Sequence, residues 1–174
     1  MISSRFLLIP FALQTICMAV DEFYFHRQRT LPRWERLGHP MDTLTVLLCW
    51  SIVWFAPPSA SFVTIYVGLS LFSCLFVTKD EWVHKEFCRA GEQWLHALLF
   101  VLHPLLMISA GLLWPAIHAE NTAARSFGWI HYEGFEGTFF AVNILLTLIF
   151  GLYQLIYWNF LWKAKSSTTK SIMN

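Results

Sequence analysis

Five apolar runs, at 6–25, 41–56, 59–78, 92–114 and 138–162, constrain this chain more than any other feature. A helix needs about 20 such residues to cross the roughly 30 Å hydrocarbon core of a bilayer, and most of these runs reach that length. Composition agrees. With 56% hydrophobic and 13% charged residues, 174 residues are too apolar for a water-soluble domain. The expected fold class is an all-α integral membrane protein with about five transmembrane helices. Four form a bundle around a polar Asp/Glu/His cluster and the fifth packs alongside. Residues 1–162 make one polytopic domain and 163–174 a basic cytoplasmic tail.

A formal net charge of +1, with no dense run of Lys or Arg, excludes a nucleic-acid partner. Ten of the twelve basic residues lie in three places: the connector holding Arg27, Arg29, Arg33 and Arg36, the segment with Lys79, Lys85 and Arg89, and the tail with Lys163, Lys165 and Lys170. The positive-inside rule makes these cytoplasmic and the N-terminus external, in a membrane expected to be a bacterial inner one. Cys17, Cys49, Cys74 and Cys88 have no CxxC spacing and read as reduced packing residues; Cys88 alone lies near candidate metal ligands.

That topology gathers chemistry at one level. Asp21, Glu22, His26, His39, Asp42, Asp80, Glu81, His84, Glu92 and His96 fall at the cytoplasmic ends of the first four spans, with His103 about two turns deeper. Individually each has an ordinary reading. Pro40 in the first turn of the second span makes Asp42 a dipole-compensating acid, and Thr78 with Glu81 matches a capping box. Together they read as a metal site, because ionisable groups inside a bundle are costly and tend to be functional. The expected ligands are Glu22, His26, His39, Asp42, Asp80, Glu81, His84, Glu92, His96 and His103, with Glu22 and Asp42 as catalytic carboxylates.

Carboxylates are as numerous as imidazoles, in i, i+3 and i, i+4 pairs, the mixture a dinuclear carboxylate site requires. Glu81-Trp82-Val83-His84 is a Glu-x-x-His pair, and in this ligand type the stretch 22–103 resembles di-iron bundle proteins. It departs from them in having one such pair, with Glu-x-x-x-His at Glu22 and Glu92, and it lacks the His-His doublets of membrane desaturases and hydroxylases. The resemblance implies two divalent metal ions, iron first and zinc second. A lipid or other hydrophobic substrate and an electron donor are then the expected partners, self-association is compatible, and oxidation of the hydroxylation or desaturation type is the favoured activity.

Two alternatives stand beside it. A zinc-dependent lipid hydrolase would use His84, His96 and His103 with Asp42, leaving Glu22 as base. A metal-ion or proton transporter needs polar groups continuing to the far side. Beyond His103 the first four spans offer little more than Gln14, hydroxyls, Cys49 and Cys74, so the stripe reads as a cup. His118, Glu120, His131, Glu133 and Glu136 in the outer connector read as a solvated loop. Reporter domains fused in the 27–36 connector or at Lys170 are expected to report the cytoplasm, and one in the 121–128 connector the outside. A cytoplasmic signal from the last overturns this topology.

Overall fold

The computed structural model describes residues 1–29, 31–81, 85, 86, 88–119 and 126–162. They are mostly helical, in five long helices: α1 (Ile9–Val20), α2 (Arg33–Phe55), α3 (Ala60–Phe76), α4 (Ala90–Ile117) and α5 (Glu136–Ile156). Short turns of tighter or wider helix extend α1 to Ser4–Gln28, α3 to Ala60–Lys79 and α5 to Glu136–Leu161. These three and α4 are long and apolar enough to cross a membrane.

α2 is not one of that four, and the reason is local. The sequence places a polar connector up to Met41, yet the helix begins eight residues before Met41, after Pro32, and takes in the polar run from Arg33 to Asp42. Pro40 therefore lies inside α2 rather than in its first turn. A proline here cannot donate to the carbonyl four residues back, and Asn159 Nδ2 from the other end of the chain bonds that Arg36 carbonyl at 3.2 Å. The helix runs through Pro40 because a distant side chain supplies the missing donor. α4 likewise continues through Pro104 and Pro115 as one helix. Thr78 makes no capping box: it lies within a 3₁₀ turn, Val77–Asp80, and its hydroxyl donates to the Leu75 carbonyl at 2.7 Å.

α2 is the central helix, packed chiefly on α5 and α3, while α1 packs on α4. The last helix, expected to pack alongside the other four, packs chiefly on α2. Gly151 is what lets α5 approach: a Cβ there would lie 2.9 Å from Thr43 Cγ2. The core gathers Phe11, Trp50, Val53, Leu113, Trp114 and Phe140, among others, in the half of the bundle nearer the α2–α3 turn. Trp114 Nε1 donates to the Ala56 carbonyl at 2.7 Å, so this large side chain buries no unpaired donor.

The N-terminus closes the same end. Strand β1 (Ile2–Ser3) pairs in parallel with β3 (Ile130–His131), which pairs antiparallel with β2 (Ser126–Phe127). Gly128, at φ 58°, occupies the left-handed conformation that the tight turn between β2 and β3 requires. Glu136 is buried and accepts from Ser4 Oγ, Glu133 N and Gly134 N, while Arg5 pairs with Glu133 at 2.5 Å. The Ser3 hydroxyl and the Arg5 guanidinium hold the Glu133 carboxyl below its usual range. His118 Nε2 bonds the Val53 carbonyl at 2.9 Å. Glu133, Glu136 and His118 thus tie the connector to the N-terminus and to α2, where a solvated loop was expected; Glu120 lies outside the described residues. Gly151→Ala is expected to cost about 1–3 kcal/mol through overpacking against Thr43, and Gly68→Ala, inside α3 with nothing within 4 Å, to stabilise by about 0.5–1 kcal/mol. Equal thermal unfolding midpoints for the two variants would refute the close α2–α5 contact.

Candidate metal centre

At the opposite end of the bundle α1 widens. The His26 amide bonds the Asp21 carbonyl, an i→i+5 link that makes residues Asp21–Phe25 a π-helical turn. In a regular helix His26 would lie over Glu22 alone. The wider turn brings it over both acids: His26 Nε2 is 3.1 Å from Asp21 Oδ2 and Nδ1 is 3.4 Å from Glu22 Oε2. Single π-turns of this kind recur at functional sites.

Two further helices present their N-terminal turns at this end. Glu92 and His96 lie one turn apart at the start of α4, and Glu35 and His39 at the start of α2. Negative charge is favourable at both places, since the unpaired amides there carry the positive end of the helix dipole. His96 Nε2 meets Asp21 Oδ1 at 3.0 Å. Asp21, His26, Glu92 and His96 are all buried and offer one ligand atom each within 4.8 Å of one another. For bonds of about 2.0–2.2 Å to nitrogen and carboxylate oxygen, neighbouring ligands of a tetrahedral ion lie about 3.4 Å apart. The two Asp21–imidazole distances are those of hydrogen-bonded pairs, a little shorter than that spacing, and the four side chains lie close enough together that they could hold a cation. Two further sets adjoin: His26 with Glu35 and His39, and Glu35 with Cys88 and Glu92.

Four carboxylates, Asp21, Glu22, Glu35 and Glu92, are thus withdrawn from water together. Burial on this scale demands compensating positive charge or donors. Arg29 supplies one charge. It forks onto Glu35, with Nη1 2.7 Å from Oε2 and Nη2 on Oε1, and reaches Glu92 Oε1 from Nε at 2.9 Å. Burial works against its charge, but the Glu35 and Glu92 carboxylates outweigh that and raise its pKa. Burial pushes the neighbouring Cys88 thiol up, so it stands as a neutral group. Glu22 is held by neutral donors: Trp158 Nε1 at 2.5 Å and Gln154 Nε2 at 3.2 Å, the latter braced by Thr43. Trp158 sits in a second π-turn, Tyr157–Leu161, at the end of α5.

A cavity of about 130 Å³ opens beside this cluster. Asp21, Glu22 and His96 form one wall, and Phe11, Val46, Trp50, Phe100 and Leu106 line its apolar part. His39, Asp42 and His103 also reach it.

The expected ligands therefore divide. His26, Glu92 and His96 converge, and His39 lies beside them, its ring centroid 4.7 Å from that of His26. Glu22 is not among the converging donors; engaged on both oxygens, it orients His26 instead of standing free as a base. Asp42 pairs with Lys79 at 2.6 Å, His103 bonds Ser73 Oγ at 2.9 Å, and Glu81 is exposed, so these three are not brought into the cluster. The Asp80 side chain and His84 lie outside the described residues. Asp21, Glu35 and Arg29 were not among the assigned site residues. Helical spacing of Glu35 and His39 could have revealed one of them, had α2 been started at Arg33. Comparison with protein-family models, with curated proteins and with solved structures finds no match.

Trp158→Phe removes a bond to a buried carboxylate and is expected to cost about 1.5–3 kcal/mol. Thermal unfolding measures it. A loss no larger than that of Trp162→Phe would show that Trp158 does not support Glu22.

Proposed function

We propose that this chain is a multi-pass membrane metalloenzyme that oxidises a lipid or other hydrophobic substrate at a His/carboxylate centre. One observation carries the reading: a buried two-histidine, two-carboxylate set reaches, through Asp21 and His96, a cavity lined by both polar and apolar side chains. Membrane insertion draws support from α3. Its most apolar window has a mean hydropathy of 2.0 and only 11% of it is buried, so its outward face needs a solvent other than water. The site end then faces the cytoplasm, where the basic connectors lie.

Asp21, His26, Glu92 and His96 would hold the ion. Two imidazoles with carboxylate oxygen and an open position suit iron(II), with zinc second. When bound, such an ion supplies oxygen activation at the cavity wall. The chain's own residues do the rest. Glu22 fixes the His26 ring through Nδ1 and leaves Nε2 for the centre, the arrangement by which outer carboxylates orient metal-bound histidines. Phe11, Val46, Trp50 and Leu106 supply the apolar contacts for a hydrocarbon substrate. An electron donor would approach from the cytoplasmic side.

The alternative hydrolase would need His96, His103, His84 and Asp42 around one zinc. Its support is weaker, because His103 and Asp42 are bonded elsewhere. Transport is also less supported, since the aromatic core of Phe11, Trp50, Phe140 and Trp114 fills the far half of the bundle.

Protein purified in detergent is expected to retain or bind iron(II) stoichiometrically and to change its visible spectrum on oxidation. Asp21→Asn and His96→Ala should each weaken binding by more than about tenfold, a loss typical even of outer partners of a metal. Glu81→Gln and His118→Ala should leave it intact. Absence of bound metal in the unaltered chain, or equal losses in all four variants, would remove the metalloenzyme reading.

A further inference from the structure

Donors for a second ion lie beside the first set, yet the structure commits them. The set Glu35, Cys88 and Glu92 shares its place with a guanidinium. Arg29 bonds both oxygens of Glu35, Glu92 Oε1 at 2.9 Å from Nε and 2.8 Å from Nη2, and Cys88 Sγ at 3.5 Å from Nη2. Every donor of that set therefore points at one cation. The remaining set, His26 with Glu35 and His39, depends on a histidine whose two nitrogens already face Asp21 and Glu22.

We propose that Arg29 is the second cation of the centre: it fills the Glu35–Cys88–Glu92 position permanently, so the chain binds one divalent ion, not two. This rests on the reading of Asp21, His26, Glu92 and His96 as a metal site. Charge supports it. Of the four buried carboxylates Glu22 has the indole and amide donors, and one divalent ion with one guanidinium balances the other three, Asp21, Glu35 and Glu92. Arg29 cannot discharge by losing a proton. Its fork onto Glu35 is the strong bidentate form of ion pair, and drawing it out would take that pairing from a buried carboxylate. Arg29 is a positioning residue as well. By holding Glu92 Oε1 it fixes the orientation of that carboxylate. The two-ion expectation becomes one metal ion and one arginine.

Cobalt(II) titration of the full chain in detergent tests this, read by elemental analysis and by visible absorption, where thiolate bound to cobalt gives a charge-transfer band. The unaltered chain is expected to take one cobalt with no thiolate band. Arg29→Gln should take two and gain the band, and Cys88→Ser in the Arg29→Gln background should lose it. A merely structural role for Arg29 would not create a thiolate band. Should Arg29→Gln fail to fold, Arg29→Lys carries the test, since its flexible stem can leave the donors: a second cobalt is expected at excess metal. Two ions in the unaltered chain, or one in the foldable Arg29 variant, overturns this inference alone. No cobalt in the unaltered chain overturns it together with the metal reading on which it rests.

Discussion

Burial of four carboxylates at one end of an apolar bundle is the constraint on which the rest of the structure depends. Unpaired, such groups would cost several kcal/mol each. Each is met by donors, and two of the four share one guanidinium. Asp21 has two imidazoles, Glu22 an indole and an amide, Glu35 a bidentate guanidinium, and Glu92 the same guanidinium from its other side. The helices are arranged accordingly. α2 and α4 bring the positive ends of their dipoles to the cluster, which favours Glu35 and Glu92. α1 ends there with its unfavourable terminus, and Asp21 and Glu22 are the two acids that receive the histidine, indole and amide contacts.

The two ends of the molecule use polar residues for different purposes. At the N-terminal end, Glu136 accepts backbone amides and a serine hydroxyl, and Glu133 pairs with a single exposed arginine. Each acid there has a local partner, and the two carboxylates are set against one guanidinium. At the other end donors from three chain segments crowd together, with more carboxylates than the bonded guanidinium can balance. A larger excess of charge, rather than the mere presence of Asp, Glu and His, distinguishes a candidate ion site from a latch.

Helix content and the level at which the ligands gather were legible in the sequence, because apolar runs and basic connectors are strong, local signals. Asp21, Glu22, His26, Glu92 and His96 could be placed at one end from span boundaries alone. What could not be read was which of them converge. The i→i+5 turn at Asp21–Phe25 shifts side chains away from the spacing that a regular helix implies, and nothing in the sequence DEFYF announces it. Pro40 was misleading for a similar reason. It marks a helix start when its missing donor is unimportant, but here Asn159, more than a hundred residues away, replaces that donor. Nor does a carboxylate near a bundle announce its partner: Lys79 pairs with Asp42, and Glu81 lies exposed.

A line of contacts crosses the bundle from Thr43 on α2 through Gln154 on α5 to Glu22, His26 and Asp21 on α1, and on to His96 on α4. Four helices are therefore registered against one another at the depth of the proposed centre. A ligand set held by one helix could tolerate sliding of its neighbours, but this one cannot. One turn's displacement of α5 would remove Gln154 and Trp158 from Glu22 and release the orientation of His26. The close approach at Gly151 serves this registration, since it lies one helical turn from Gln154 and sets the separation of α2 and α5 where Thr43 reaches across. Precision at a metal-binding set depends on outer partners as much as on ligands. In this chain those partners come from the last helix, which is why α5 belongs to the site although it supplies none of the converging ligands.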